Sequence, residues 1–374
     1  MKQIIKNVQF IDGNRKDIVI DDGEIETVTK AYNGKGKIIN VPDNMFVSPG
    51  WIDVHTHAFP KYKPYCAKPD EIGYKTGVTT VVDAGSIGAD DLKLFHQMKM
   101  ECVTRVFNFL NISKVGLSRR DELTDMSLID ADLFKEAQAT FPEMVVGMKA
   151  RMSASVVGEN GTKPLVEAKK ISQDTGLPVM VHVGSAPPQL DSVFHLLEKG
   201  DIVTHCFHEK ANNNILTNKS TVAQAVQEAL GKGVYFDVGH GTSSFSFLIA
   251  EAAKKKGIPF HSISTDIYEL NQLEGPVYNL AETMTKFLAI GHSLEKVIQA
   301  VTETPAQMIG KSNLGRLEKG KAADLTFFTI DDKNVELQDS FGHVKQTNKI
   351  ITPHAVMING EYMECRTNEV IRSD

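Results

Sequence analysis

Apolar and polar residues alternate through the first 48 residues, in QIIKNVQFID, DIVIDDGEIETV and KIINVP, with Gly, Asn and Asp at the breaks. A period of two puts neighbouring side chains on opposite faces, so this stretch predicts a small antiparallel β unit. From Trp51 the pattern changes. Short runs rich in β-branched residues recur as WIDVHTH, VTTVVDAG, RVFNFLNI, MVVGMKARM, PVMVHVG, DIVTHCFH, VYFDVGHG and HSISTDIY. Between them lie amphipathic segments such as LVEAKKISQDTG, TVAQAVQEALGKG and FLIAEAAKKKG, each closing on a Gly, where helices commonly stop. Eight strand–helix units in series predict an α/β fold, a (β/α)8 TIM-like barrel over 51–309. Beyond it, LGRLEKGKAADLTFFTI and HAVMINGEYMEC return to short strands with Gly turns. Residues 1–50 and 310–374 are therefore expected to form one small β-sandwich domain built from both chain ends.

Composition fits this reading. The chain has 374 residues, more than one average domain, and its 41% hydrophobic and 24% charged residues are the balance of a globular protein. The formal net charge is −6, and no long basic stripe follows the chain, so nucleic acid is not expected as a partner. No window of about 18 apolar residues occurs, and the opening MKQIIKNVQFIDGN lacks an apolar core with a cleavage site. No membrane association is expected, and a cytoplasmic location is. Cys66, Cys102, Cys206 and Cys365 lie far apart in unpatterned contexts and read as reduced thiols, not as a disulfide framework or a zinc ribbon.

The candidate chemistry begins at VSPGWIDVHTHAFP. A strand places residues i and i+2 on one face, so His55 and His57 can grip one metal ion, although two histidines alternating with Thr56 in a surface strand would give the same letters. Further polar residues fall where a barrel keeps its active site, at the C-terminal ends of strands. His182 and His205 end the fifth and sixth strands, Asp266 ends the eighth, and Lys149 lies within the fourth. Six candidate ligands then converge on one mouth. A buried lysine readily loses its proton, and the neutral amine can add carbon dioxide to give a carbamate with two oxygen donors. An ordinary lysine paired with a carboxylate such as Asp266 accounts for Lys149 equally well.

Taken together, these motifs resemble the amidohydrolase superfamily, of the type with a binuclear site bridged by a carboxylated lysine. The resemblance rests on PGWIDVHTH, the strand bearing Lys149, VHVG with His182, VTHCFH with His205, STD with Asp266 and the closing LGRLEKGKAADLTFF, and it spans essentially the whole chain. It implies that His55, His57 and Asp266 hold one metal and His182 and His205 the other, with carboxylated Lys149 between them. Two zinc ions, or similar divalent ions, and carbon dioxide are the implied cofactors. The nitrogen-rich ligand set is compatible with zinc.

Such a metal pair makes hydroxide available near neutral pH, and Asp266 beside it would act as general base and then general acid. Substrate choice is read from departures within the superfamily. Dihydroorotases commonly carry an Arg two residues after the HxH pair, where this chain has Ala58 and Phe59. Adenine deaminases usually carry an acid shortly after it, and HTHAFPKY has none. What remains resembles the deacetylase branch, acting on acylated amino acids or α-hydroxy acids, with a cyclic amidase, an adenine deaminase and a non-catalytic scaffold relative as alternatives. A carboxylate-bearing small molecule needs a cation. Arg151, on the same strand face as Lys149, and His240, in the glycine-flanked VGHGTSS, are the candidate substrate-binding residues. A rim ion pair for Arg151 and an ordinary loop position for His240 explain the same letters. His208 and Cys66 are given no role. A homo-oligomer is suggested by the resemblance alone.

Overall fold

The computed structural model describes residues 2–366 apart from 212, 218 and 219. The chain opens with β1 (Gln3–Phe10), β2 (Arg15–Asp21), β3 (Glu24–Thr29), β4 (Lys37–Ile39) and β5 (Phe46–Pro49). It continues through β6 (Trp51–Thr56), β7 (Val78–Ala84), β8 (Arg105–Asn111), β9 (Val145–Met152), β10 (Val179–Val183), β11 (Ile202–Thr204) and β12 (Tyr235–Phe236). It ends with β13 (Leu325–Gln338), β14 (Val344–Ile358) and β15 (Glu361–Glu364). Strands β6 to β12 lie side by side in chain order as one parallel sheet.

The eighth apolar run, HSISTDIY, closes this sheet without forming a regular ladder. Asp237 bridges Ser262 and Thr56 bridges Ile267, both in the parallel sense. Backbone N–H groups of Val238 and His57 donate to the carbonyls of Ser262 and Ile267 at 3.1 and 2.9 Å, and Asp266 N–H donates to His55 at 2.7 Å. The ladder is broken because Asp266 sits in the left-handed region at φ 53°, which an extended strand cannot contain. The hydroxyls of Ser262 and Ser264 also donate to Asp237, and that of Thr265 to Asp53, so this segment is tied by side chains as much as by backbone.

Each of β6 to β11 contributes to a single apolar cluster, through residues such as Ile52, Val82, Phe109, Val146, Met180 and Ile202. Only the inner face is shared by every strand of a barrel, so this cluster is its filled interior. Ala306 and Met308 of the last helix (Glu303–Met308) and Ile309 and Leu314 after it pack into the same cluster. Burial of each large apolar side chain stabilises the fold by about 1.5–3 kcal/mol. The outer helices end as the glycines indicate: Lys163–Thr175 stops at Gly176 (φ 70°) and Phe247–Lys255 stops before Gly257 (φ 69°).

The chain ends share an eight-stranded sheet in the order β15-β14-β13-β5-β1-β2-β3, with β4 also paired to β1. Pairing of β1, β2 and β3 is antiparallel, as the alternation predicts. However, β4 and β5 both run parallel to β1, which a wholly antiparallel unit does not contain. They can do so because residues 30–36 and 40–45 each carry the chain back to its starting side. Antiparallel pairing of β13 with β5 stitches the two ends together, and Ile5, Ile18, Val47, Leu325, Phe327 and Met357 pack into one core between the halves. The Arg105 guanidinium of the barrel meets the nearly buried Asp324 carboxylate at 3.0 Å. At the tip of the β13–β14 hairpin, Asp339 accepts the Phe247 N–H at 2.8 Å and the Ser340 hydroxyl donates to the Gly241 carbonyl at 2.8 Å.

Candidate metal centre

The polar groups at the C-terminal mouth of the barrel assemble around Asp266. His55 Nε2 lies 3.3 Å and His57 Nε2 3.0 Å from its Oδ1. These three groups could hold one metal ion, their ligand atoms all lying within 4.8 Å of one another. Burial pushes the Asp266 carboxyl up, but His55, His57 and His205 around it outweigh that and hold it well below the usual carboxylate range.

The protons on His55 follow from its neighbours. Its Nδ1 is 2.7 Å from Thr204 Oγ1, and that hydroxyl donates to Asp237 Oδ2 at 2.7 Å, so the hydrogen between His55 and Thr204 must come from the imidazole. With its Nδ1 hydrogen committed to Thr204, His55 turns Nε2 toward an Asp266 oxygen. Burial and Lys149 disfavour a second proton there, but Asp266 and Asp237 outweigh them and raise the imidazole's pKa, and a cation placed between Nε2 and the carboxylate would satisfy both. His57 is oriented in the same way by Ser86 Oγ, 2.8 Å from its Nδ1. Asp237 also accepts from Ser262 and Ser264 at 2.6 and 2.7 Å.

On the other side of His55 lie Lys149, His205 and His182. Lys149 is buried, its Nζ 3.1 Å from His55 Nε2 and 3.4 Å from Met180 Sδ, directly above the apolar interior. Burial lowers its pKa to about 7, so the neutral amine is readily populated. The rings of His55 and His205 lie 4.9 Å apart and those of His205 and His182 4.4 Å apart. Burial also holds His182 and His205 well below the ordinary imidazole value, which keeps their lone pairs available. His205 Nδ1 lies 2.6 Å from the Gly239 carbonyl, leaving Nε2 as its donor atom. The donor set of four imidazoles, a carboxylate and a nearly neutral amine fits divalent metal ions.

Close glycines make room for these groups. A β-carbon at Gly241 (φ 52°) would sit 2.4 Å from Asp266 Oδ2, and one at Gly85 would sit 2.6 Å from Lys149 Cγ. His205 and Asp266 both occupy left-handed backbone, at φ 67° and 53°, a conformation that persists only where surrounding bonds enforce it.

The two candidate substrate-binding residues are placed differently. Arg151 reaches the mouth beside His182, its register partner in the neighbouring strand, and its Nη1 lies 3.0 and 3.2 Å from the oxygens of the buried Glu122. His240 is wholly buried. Its Nδ1 lies 2.9 Å from the Gly241 carbonyl and its Nε2 3.0 Å from Lys286 Nζ, so both ring nitrogens are engaged. Sequence patterns did not single out Glu122, Thr204 or Asp237. Asp237 left a signal there, as the single acid in VYFDVGHG; the other two carried none. Tyr65 and Tyr268 also flank His57, with ring centroids 5.4 and 6.3 Å away.

A closed barrel with this cluster at its C-terminal mouth, and a sandwich made from both chain ends, is the architecture of a metal-dependent hydrolase. A model described as the amidohydrolase family matches residues 46–363, and the chain belongs to that family. It is 44% identical over 360 residues to a deacetylase of Enterococcus faecalis, covering 96% of this chain and 98% of that one. A crystal structure described as that of an adenine deaminase superposes with a TM-score of 0.94 at 44% identity, covering 97% of this chain and 99% of that one. One described as that of a dihydroorotase superposes at 0.88 with 34% identity, covering 97% and 98%. The protein is thus an enzyme of the amidohydrolase family, and the non-catalytic scaffold alternative is set aside.

Proposed function

We propose that the protein removes an acetyl or other acyl group from a small carboxylate-bearing amide or ester, an N-acyl amino acid or an acylated α-hydroxy acid. Two zinc ions would be held by His55, His57, His182, His205 and Asp266, with carboxylated Lys149 between them. The observation that carries the metal chemistry is the buried Lys149 amine, poised near neutrality 3.1 Å from His55 Nε2. Its lone pair would form the N–C bond to carbon dioxide, and one N–H proton would leave to solvent. The acyl class is supported by the full-length likeness to the E. faecalis deacetylase.

When bound, the metal pair would supply hydroxide near neutral pH and polarise the scissile carbonyl. The chain's own groups do the rest. Asp266 Oδ1 faces both HxH imidazoles, whereas Oδ2 lies in the space kept open by Gly241 and would take the proton and return it to the leaving nitrogen or oxygen. Arg151, braced by Glu122, would direct its remaining N–H groups at the substrate carbonyl as charge develops there. His240 would act through its loop, its ring being engaged elsewhere.

A second reading is adenine deamination, favoured by the superposition, at a TM-score of 0.94, on the structure described as an adenine deaminase. Against it stands the absence of an acid in the residues that follow His57, AFPKY. The test uses zinc-loaded protein prepared with bicarbonate and a panel of N-acetyl amino acids, acetylated α-hydroxy acids, hydantoins and adenine. Acetate release that disappears in Lys149→Ala is the expected result. Ammonia from adenine, or ring opening of a hydantoin, with no acetate from any ester or amide would overturn the acyl reading.

A further inference from the structure

We infer that Lys210 is the group that recognises the substrate's carboxylate, in a small anion subsite made with Ser153 beside Gly184. The inference rests on the acyl-carboxylate reading above and assigns the part of the substrate that reading leaves unplaced.

The subsite is defined by convergence. A β-carbon at Gly184 would lie 3.3 Å from Lys210 Nζ, 3.2 Å from Ser153 Oγ and 3.2 Å from His182 Nε2. Three polar atoms from three different segments therefore surround one point, which is open because residue 184 has no side chain. Ser153 is buried and Lys210 half-buried. Among the described residues, neither the Ser153 hydroxyl nor the Lys210 ammonium has a hydrogen-bond or ion-pair partner. A half-buried cation without an anion is costly unless a ligand supplies one.

The loop that carries Lys210 is held in place. Its N–H donates to His208 Nδ1 at 3.2 Å, and the His208 N–H donates to the His205 carbonyl at 3.3 Å. On the other side, the Asn213 side chain donates to the Gly184 carbonyl at 2.5 Å and accepts the Leu190 N–H at 2.9 Å. Asn213 thus locks the Lys210 loop to the very residue that keeps the subsite open. His208, which had no role in the sequence, is part of this support.

Charge separates Lys210 from Arg151. Arg151 reaches the mouth on the opposite side of His182, but its charge is already balanced by the buried Glu122 at 3.0 Å. Among the described residues Lys210 has no carboxylate within ion-pair distance; burial and Arg151 disfavour its charge, and the more distant Asp266 favours it. In an acylated α-amino or α-hydroxy acid the carboxylate is two bonds from the leaving atom, so the acyl carbonyl can meet the metal site while the carboxylate reaches the ammonium beside His182. A compact ammonium with three donors suits such a group as a point charge.

The test compares the acid that releases acetate fastest from wild type with its own carboxamide, in wild type, Lys210→Met and Lys210→Arg, each with its metal content measured. The expected result for Lys210→Met is a KM for the acid raised by roughly ten- to a hundredfold, the scale of one lost charge-assisted contact, with kcat much less affected. The carboxamide KM should stay unchanged, and Lys210→Arg should restore most of the preference for the acid. Equal effects on acid and carboxamide, or none on either, would overturn the assignment while the deacylase reading stood. If wild type releases no acetate from any acid, that reading falls by itself. Calorimetric binding of N-acetylalanine and N-acetylalaninamide then decides the subsite: weaker binding of the acid alone to Lys210→Met supports it, and equal binding to both forms of the protein overturns it.

Discussion

His55 shows how much chemistry one residue inherits from its neighbours. Its ligand nitrogen is defined by a hydrogen that passes to Thr204 only because Thr204 donates onward to Asp237. Thr204→Val removes this acceptor and leaves Asp237 short of one donor. The metal affinity of that variant should fall about ten- to a hundredfold, as is usual when the hydrogen bond behind a ligand histidine is lost. Titration against a competing chelator measures this, and unchanged affinity would show that the tautomer is set by other means. The ligand candidates were legible in the sequence because a His or Lys inside an apolar run is conspicuous. The Asp237 network was not, because its donors sit at 204, 262 and 264 and look like ordinary strand hydroxyls. Arg151 was visible as a cation, but Glu122, which balances it, lies 29 residues away with no pattern linking the two.

At the scale of elements, the strands and helices follow their periodicity and the glycines that end them, whereas the site depends on where that regularity fails. The eighth run alternates like a strand, yet the left-handed turn at Asp266 converts it into two bridges and aims the carboxylate at the HxH pair. The loop after β12 answers with Gly241, whose lack of a side chain leaves room for Asp266 Oδ2. Gly241→Ala should therefore be poorly active: its β-carbon would stand 2.4 Å from that oxygen, and the backbone there has φ 52°. A loss of kcat by at least roughly tenfold is expected, with a stability cost on the order of 1–2 kcal/mol for the left-handed backbone. Steady-state rates and a denaturant midpoint measure the two effects, and a fully active variant would mean that Oδ2 needs no such clearance. Because a bend in one strand and a glycine 25 residues earlier must match in space, neither is recognisable alone.

For the molecule as a whole, the sandwich hairpin and the barrel meet behind the site, where Lys286 lies fully buried against His240 and the Pro276 carbonyl. Burial lowers its pKa from 10.5 to about 8, against the opposing pull of Glu282 and Asp339. Between those values the unfolded chain holds a proton that the folded one has released, so this lysine makes stability rise with pH across that window. Wild type should gain on the order of 3 kcal/mol relative to Lys286→Met between pH 8 and 10.5, with no relative trend below pH 8. Denaturant midpoints at the two ends of the range check this, and parallel curves would show that Lys286 keeps its proton when folded. The sequence by itself determined the kinds of element, their order and the residue types at the barrel mouth, because periodicity and side-chain chemistry are local properties. Only the tertiary structure decided that β4 and β5 run parallel to β1, that both ring nitrogens of His240 are engaged by Gly241 and Lys286, that Arg151 is paired with Glu122 and that, among the described residues, Lys210 has no ion-pair partner. Those outcomes depend on distance and burial among residues far apart in the chain, which no stretch of sequence contains.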